Sequence, residues 1–322
     1  MLLEALRRRL LFVGGKGGVG KTSLASALAV ARARHGEKVL VVSTDPAHNL
    51  GHLWERAVGD RPVRLADFGG GMIDGVEIDP QATIVRHLTG VEETMLRLLP
   101  ERQHSAARAH LLRAKDAPGS HESAVLERIA ELAQLGQDDY DVVIFDTAPS
   151  GHTLRLLALP GQLAGWTETL LRNRDRSERF SAAMRGVTGR EDPAAAAQAD
   201  LRRSLQQRRD RFDALQHAIT DPRRSGFVIV FTAEALPVAE TLDLVERLRV
   251  LHVNVAALIA NRRSPADAGE LLRTRRAGED AHLAHVRTQL PDLDMLEVPL
   301  VAGELTGPDA LGRLAGLLEA ES

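Results

Sequence analysis

The sequence predicts an α/β fold in which a mostly parallel, doubly wound sheet has helices on both faces and a helical insertion subdomain. Three observations support this prediction. Apolar runs typical of buried strands alternate with helical segments, a glycine-rich loop joins the first strand to a helix, and two further strands each lead into an aspartate. Parallel strands joined through helices bring their carboxyl ends to one edge of the sheet, where ligands bind. We expect one domain over residues 1–322, with helical subdomain segments at about 80–136 and 161–224.

The first predicted strand and helix enclose a glycine-rich loop. The apolar run Leu10–Val13 predicts a buried strand, and the Ala- and Leu-rich run at 23–31 predicts a helix. Between them, residues 15–22 read GKGGVGKT, which fits the P-loop pattern G-x-x-x-x-G-K-[ST] in the strand–loop–helix context that the pattern requires. Glycines allow the backbone to aim N–H groups at phosphate oxygens, and the helix N-terminus adds partial positive charge. The sequence therefore predicts a P-loop NTPase.

Single residues of this loop have predicted roles. Lys21 is expected to reach the β- and γ-phosphates, and the Thr22 hydroxyl is expected to bind Mg²⁺. The chain has only four lysines, and two of them, Lys16 and Lys21, lie in this loop although the sequence otherwise favours arginine. The residues expected to contact the nucleotide here are Gly15, Lys16, Gly17, Gly18, Val19, Gly20, Lys21, Thr22 and Ser23.

The second predicted strand, at 38–43, leads into Asp45. A carboxylate just past the end of a strand lies in the crevice where open α/β sheets bind ligands. Asp45 is therefore a candidate for orienting or deprotonating the water that attacks the γ-phosphate. Its alternative role is to cap a helix that has Pro46 at its first position. The residues themselves leave both roles open.

A third apolar run, at 142–145, ends at Asp146 and fits a Walker B strand. In P-loop enzymes this carboxylate holds Mg²⁺, usually through water. Gly151 permits a mobile backbone after the strand, so a loop touching Mg²⁺ and the γ-phosphate can order with ATP and relax afterwards. His152 either senses the nucleotide state or packs at the start of a helix.

The remaining elements follow from weaker patterns. Residues 71–79 predict an edge strand, and the helical pattern that starts at Pro80 is broken at Pro118 and Gly119. Between 161 and 224 the sequence is Arg-rich and low in β-branched residues, which predicts a helical subdomain. The sheet is expected to resume with strands at 226–232, 253–261 and 295–300.

Composition excludes several kinds of site. Because the chain has no cysteine, it has no disulfide and no zinc or iron–sulfur site built on cysteine. A net charge of -3 gives no reason to expect nucleic acid as a partner. No apolar run approaches the ~20 residues of a membrane-spanning helix, and the first nine residues do not read as a secretory signal. We expect a cytoplasmic protein.

The loop GKGGVGKT resembles the deviant Walker A group of ATPases, which includes the ParA and MinD proteins, the nitrogenase iron protein, the arsenical pump-driving ATPase and the guided-entry ATPase for tail-anchored membrane proteins. STDPAHNL at 43–50 and FDTAPSGHTLRLL at 145–157 resemble the switch motifs of the last two, which ParA and MinD proteins do not normally carry. PGSHE at 118–122, FTAEALP at 231–237 and the strand ending at Asn261 resemble further motifs of the same family. The similarity runs through nearly the whole chain.

This resemblance implies a Mg²⁺-dependent ATPase that works as a dimeric switch. In such a dimer Lys16 would reach the nucleotide of the partner subunit, and the partner would be an identical chain or a paralogous ATPase. Asp45 would position the attacking water, and adenine would contact Asn261 and Pro299. The implied switch residues are Asp45, Pro46, His48, Asn49, Asp146, Thr147, Gly151, His152 and Thr153.

Three functional hypotheses remain at this point. In the first, ATP binding and hydrolysis drive capture and release of a client protein, with a membrane protein or a membrane receptor among the expected partners. In the second, the chain is the ATPase subunit of an anion or metalloid efflux pump, without the thiolate metalloid site that cysteines would supply. The third is a positioning ATPase like ParA or MinD, which the acidic segment at 311–322 disfavours because MinD needs a basic amphipathic helix there.

Overall fold

The computed structural model describes residues 2–45, 49–98, 101, 104–105, 108–109, 120–147 and 195–320. Its strands are β1 (Leu10–Gly15), β2 (Lys38–Ser43), β3 (Val63–Asp67), β4 (Met72–Glu77), β5 (Val142–Asp146), β6 (Ser225–Thr232), β7 (Val255–Arg263) and β8 (Met295–Pro299). Its longer helices are α1 (Leu2–Ala5), α2 (Lys21–Arg34), α3 (Asn49–Trp54), α4 (Pro80–Leu98), α5 (Ser120–Asp139), α6 (Ala195–Thr220), α7 (Ala235–Val250), α8 (Glu270–Gln289) and α9 (Gly307–Ala320).

The eight strands form one sheet in the order β3-β4-β2-β5-β1-β6-β7-β8. All neighbouring strands are parallel except β3 and β4. The predicted α/β class with a mostly parallel sheet is therefore confirmed. β1 lies between β5 and β6, so the chain leaves β1 towards one side of the sheet and later returns to the other. This reversal places the carboxyl end of β1 at the switch point where such sheets bind ligands.

The helix that follows the glycine loop is held firmly in place. Ten of the 14 residues of α2 are buried, including Leu24, Leu28 and Val30. The helix packs against β1, β2 and α9, and Trp54 in α3 donates an indole hydrogen bond of 3.0 Å to Ser26 Oγ. A small, apolar helix surface allows this close approach on several sides. The first turn of α2, which would face a nucleotide, therefore rests on a fixed support.

The strand predicted at 71–79 exists as β4, but it is not at the edge of the sheet. It lies between β2 and β3, and the edge is the short antiparallel strand β3, which the sequence pattern did not reveal. Asp74 is a buried, charged residue of this interior strand. Its carboxylate accepts hydrogen bonds from Arg64 Nε at 2.6 Å and from the Tyr140 hydroxyl at 2.8 Å. These partners satisfy the buried charge.

The chain divides into two compact units. The first comprises residues 1–79, 132–157 and 217–322 and contains all eight strands, and the second comprises 80–131 and 158–216. The expectation of a single domain with helical segments at 80–136 and 161–224 stays a prediction, and residues 161–194 lie outside the described part. Among the helices that the structure describes, none is long and apolar enough to cross a membrane.

Candidate nucleotide-binding site

The glycine loop begins where β1 passes very close to β6. Gly15 has φ 144°, and a Cβ at this position would lie 2.1 Å from the carbonyl oxygen of Val230 on β6. Any side chain would push the two strands apart, so glycine is required by the close approach as well as by the dihedral angle. The loop therefore starts from a tightly fixed point.

The other end of the loop is tied to β7. Gly20 has φ 93°, and a Cβ there would lie 2.5 Å from Nδ2 of Asn261. This nitrogen donates a 2.8 Å hydrogen bond to the carbonyl oxygen of Val19. Asn261 is buried, so the bond is shielded from competing water. Asn261 therefore contacts the glycine loop directly.

Lys21 is the first residue of α2, and its side chain folds back over the loop. Its ammonium donates a 2.9 Å hydrogen bond to the carbonyl oxygen of Lys16. Burial lowers the pKa of Lys21, whereas the negative charges of Asp146 and Asp45 raise it. Asp146, which is predicted to hold Mg²⁺, and Asp45, which is predicted to act on the attacking water, are therefore close enough to Lys21 to affect its ionisation.

Asp146, the last residue of β5, is only 1 % exposed. Within the described residues, neither carboxylate oxygen has a hydrogen-bond partner of normal geometry. Burial raises the pKa of Asp146 to about 7, although the nearby Thr22 hydroxyl and Lys21 ammonium oppose this shift. A buried carboxylate without hydrogen bonds is costly unless something else satisfies it.

The donor set at this point fits a hard cation. Mg²⁺ prefers oxygen ligands, and both the Asp146 carboxylate and the Thr22 hydroxyl supply oxygen. The backbone around Asp146 is fixed, because Thr44 N–H donates to the Asp146 carbonyl at 2.9 Å and Thr147 N–H donates to the Val13 carbonyl at 3.0 Å. These residues therefore fit the Mg²⁺ that the sequence motif implies.

The hydrogen bond from Thr44 N–H to the Asp146 carbonyl also brings Asp45 close to Asp146. Asp45 follows Thr44 directly and is partly exposed, and its N–H lies 3.4 Å from Ser43 Oγ. Whether Asp45 also caps a helix is not tested, because Pro46 and His48 lie outside the described residues. Asn49 begins α3 and is exposed.

The Lys16 side chain joins the glycine loop to α7. Its ammonium lies 3.1 Å from Oε1 of Glu240, which belongs to α7. Both side chains are more than a third exposed, at 35 % and 40 %. The lysine that the family resemblance assigns to a partner subunit is thus paired with a carboxylate of its own chain.

The two residues predicted to hold adenine lie at the carboxyl ends of β7 and β8. Asn261 Oδ1 accepts a 2.9 Å hydrogen bond from the N–H of Arg262. Pro299 is the exposed last residue of β8 and is in register with Arg263. Both therefore lie at the same edge of the sheet as the loop.

The structure brings most of the predicted residues to this edge. Gly17, Gly18, Thr22 and Ser23 belong to the loop and to the first turn of α2. The predicted switch residues Pro46, His48, Gly151, His152 and Thr153 lie outside the described residues. Sequence reasoning missed the pairing of Glu240 with Lys16 and the burial of Arg263, because both depend on elements distant in sequence. The segment FTAEALP at 231–237, which resembles a family motif, lies just before Glu240 but did not indicate this pairing.

Comparisons with known proteins agree with this geometry. The model of the anion-transporting ATPase family matches residues 8–320. ATPase GET3 of Malassezia globosa is 30 % identical over 322 residues, covering 98 % of this chain and 92 % of the relative. A putative arsenical pump-driving ATPase of Halobacterium salinarum is 30 % identical, covering 96 % of this chain and 44 % of the relative. A second protein of that name from Aquifex aeolicus is 28 % identical, covering 96 % and 99 %.

A family match that spans nearly the whole chain, together with relatives that are named ATPases, confirms the resemblance found in the sequence motifs. The chain belongs to the anion-transporting ATPase family, and it is an ATPase.

Proposed function

We propose that this ATPase is a Mg²⁺-dependent dimeric switch that couples ATP binding and hydrolysis to the capture and release of a client protein. The observation that carries the nucleotide part is the buried Asp146 carboxylate, which lacks a hydrogen-bond partner among the described residues and lies near Thr22 and Lys21. A buried carboxylate that has no hydrogen-bond partner and lies beside the glycine loop is suited to a cation that binds together with phosphate.

The loop and α2 form the phosphate site in this proposal. The loop N–H groups and the N-terminus of α2 would surround the phosphate oxygens. Lys21 would exchange its hydrogen bond to the Lys16 carbonyl for the β- and γ-phosphates. Burial lowers the pKa of Lys21. A nearby phosphate charge would raise that pKa again and so favour the protonated form of the lysine.

Thr22 and Asp146 are the residues that would hold Mg²⁺, with Asp146 acting through water. When bound, Mg²⁺ would neutralise negative charge that develops on the phosphates. Asp45 would orient the attacking water. The negative charge of Asp45 raises the pKa of Lys21. This proximity to the predicted phosphate-binding lysine supports a position of Asp45 close to the γ-phosphate.

The two predicted switch segments start from one hydrogen-bonded junction. Thr44, which precedes Asp45, donates its N–H to the carbonyl of Asp146. Loss of the γ-phosphate would therefore affect both segments that follow this junction. One runs from Pro46 to Asn49, and the other runs from Thr147 to Thr153. Such order changes on γ-phosphate loss are a general switching device.

The dimer and the client rest on the family resemblance. Lys16 is partly exposed at the mouth of the loop, a position from which it can reach a second subunit. A guided-entry type of function would give this ATPase a membrane-protein client. The second candidate is the ATPase subunit of an anion or metalloid pump, which the family description and the names of two relatives favour. The absence of cysteine in the chain means that such a pump would work without a thiolate metalloid site.

Affinity capture from native cytosol tests the proposal. The bait is the Asp45→Asn protein held in ATP, and bound proteins are identified by mass spectrometry against the same bait in ADP. Lys21→Ala in ATP is the matched control, because it is expected to lose the nucleotide. Enrichment of membrane proteins with a C-terminal hydrophobic segment would support the client proposal. Recovery of pump subunits would favour the second candidate, and soluble partners alone would contradict a membrane-protein client.

A further inference from the structure

Arg263, the last residue of β7, is a charged side chain that is almost completely buried. It is 1 % exposed, and its guanidinium contacts carboxylates from three positions. Nη1 donates to Glu279 at 2.6 Å, Nε donates to Glu297 at 2.7 Å, and Nη2 donates to Asp280. A planar fork with several donors is the arrangement that arginine, but not lysine, can provide.

The carboxylates around Arg263 are themselves held by further groups. Glu279 accepts hydrogen bonds from both the N–H and the hydroxyl of Ser264, at 3.0 and 2.7 Å. Burial alone would raise the pKa of Glu297, but hydrogen bonds from Arg263 and Arg287 hold it below its ordinary value. The network therefore joins the end of β7 to α8 and β8 through mutually satisfied charges.

The pairing of β7 with β8 is interrupted immediately before Arg263. The register shifts between Ala260 and Arg263, and Arg262 lies in the left-handed region with φ 58°. Regular pairing returns at Arg263, which is in register with Pro299 and accepts a 2.9 Å hydrogen bond from Leu300 N–H. We call Asn261 and Arg262 the β7 bulge. A bulge of this kind re-aims side chains. Here the residue directly after it, Arg263, is held by ion pairs to three carboxylates, which limits how far the bulge can shift.

The β7 bulge is also the part of β7 that touches the glycine loop. Asn261 donates to the Val19 carbonyl and accepts from Arg262 N–H. On the far side of Arg263, the strand end at Pro299 faces the same edge of the sheet. Arg263 thus anchors both segments that are expected to contact the base of a nucleotide, while its own side chain points into the network and not to the loop.

We infer that Arg263 is a positioning residue for the nucleotide base: its ion-pair network holds the β7 bulge and the Pro299 segment in the geometry that recognises adenine. This inference rests on the proposed function. The side chain does not touch phosphate-binding residues in the described structure, so its loss is expected to affect recognition of the base and to spare recognition of the phosphates.

The test compares two ligands that share phosphates and differ in the base. Binding of Mg·ATP and of Mg·tripolyphosphate is measured by calorimetry for the wild type and for Arg263→Lys, which keeps the charge but loses the fork. We expect the Kd for ATP to rise about tenfold, because a displaced binding group loses much of its contact, while the Kd for tripolyphosphate stays at the wild-type value. The KM for ATP should rise in parallel with little change in kcat.

Two further variants keep the outcome decisive. Arg249→Lys alters an exposed ion pair, with Asp292, and should leave both affinities unchanged. Asp280→Asn removes a carboxylate that is 57 % exposed and should give the Arg263→Lys signature at smaller size, about threefold, so it decides the test if Arg263→Lys does not fold. Unchanged ATP affinity, or an equal loss of both ligands, overturns the inference. A wild type that binds neither ligand would instead refute the proposed function.

Discussion

Lys16 and Glu240 form an ion pair of 3.1 Å between the glycine loop and α7. The pair keeps the lysine within its own subunit, whereas the proposed dimer needs it at the partner's nucleotide. Release from Glu240 would therefore accompany dimer formation. Since both side chains are partly exposed, the pair is worth on the order of 0.2–1 kcal/mol, which is small enough for a phosphate to replace it.

The change Glu240→Gln is expected to strengthen ATP-dependent dimerisation, because it weakens a competitor for Lys16. The size should be about 1.5- to 5-fold in the dimer Kd for each Lys16 that is released, which follows from the energy of one exposed pair. Sedimentation in Mg·ATP measures it. Lys16→Ala should abolish the ATP dependence, and Asp243→Asn, which alters an exposed pair with Arg247 on the same helix, should have no effect. A weaker dimer in Glu240→Gln would contradict this account.

Lys21→Ala is expected to abolish ATP binding. Its ammonium is buried over the loop, whereas the loop's second lysine, Lys16, is partly exposed and contacts Glu240. Calorimetric titration with Mg·ATP measures the loss. Lys38→Ala, which removes an exposed lysine at the start of β2, is the matched control and should bind ATP like the wild type. Undiminished affinity in Lys21→Ala would contradict the P-loop assignment.

Asp45→Asn should bind ATP normally and hydrolyse it at least about 100-fold more slowly, the size expected for loss of a general base. The amide keeps the shape of the side chain but cannot accept a proton from water. Single-turnover hydrolysis with saturating enzyme separates this effect from binding. Wild-type turnover would mean that Asp45 acts as a helix cap and not in the reaction.

Asp146→Asn should abolish Mg²⁺-dependent hydrolysis and yet stabilise the nucleotide-free protein above pH 7. Burial raises the folded pKa of Asp146 from 3.8 to about 7, so the folded state retains a proton that the unfolded state releases. The wild type therefore loses stability as the pH rises from about 4 to about 7, and the asparagine variant does not. Thermal unfolding in EDTA at pH 5 and pH 8 measures this, with a larger gain in Tm expected at pH 8. Equal Tm differences at both pH values would contradict the assigned shift.

Gly15→Ala and Gly18→Ala should separate steric conflict from backbone strain. Both glycines have positive φ, but a Cβ at Gly15 would meet the Val230 carbonyl at 2.1 Å, whereas a Cβ at Gly18 meets nothing within 4 Å. Gly18→Ala should cost about 1–2 kcal/mol of unfolding free energy, the ordinary strain of a left-handed residue, and Gly15→Ala clearly more. Urea denaturation without nucleotide compares them. Equal losses would show that the β1–β6 contact relaxes.

Local sequence was enough to predict the fold class, which the structure confirms, and to predict a phosphate site. Apolar runs such as 38–43 and 142–145 are typical of buried strands of a parallel sheet, and a glycine loop between a strand and a helix needs no distant partner to be recognised. Lys21 is recognised as the lysine of the glycine loop, and Asp146 and Asp45 are recognised because each lies at or just after the end of a strand. Local patterns therefore predict the roles of Lys21 and Asp146, whereas for Asp45 they leave a choice between a part in the reaction and a helix cap.

The tertiary structure alone decided how these elements meet. It placed β4 inside the sheet, because the short strand β3 covers its edge, and it joined Asn261 to Val19, Lys16 to Glu240 and Arg263 to three carboxylates. Asn261 and Val19, and Lys16 and Glu240, are more than 200 residues apart in the chain, and the carboxylates around Arg263 lie 16 to 34 residues after it. A sequence pattern records the period and the chemistry of a segment, but pairing between distant segments depends on register and packing, which only the folded chain determines.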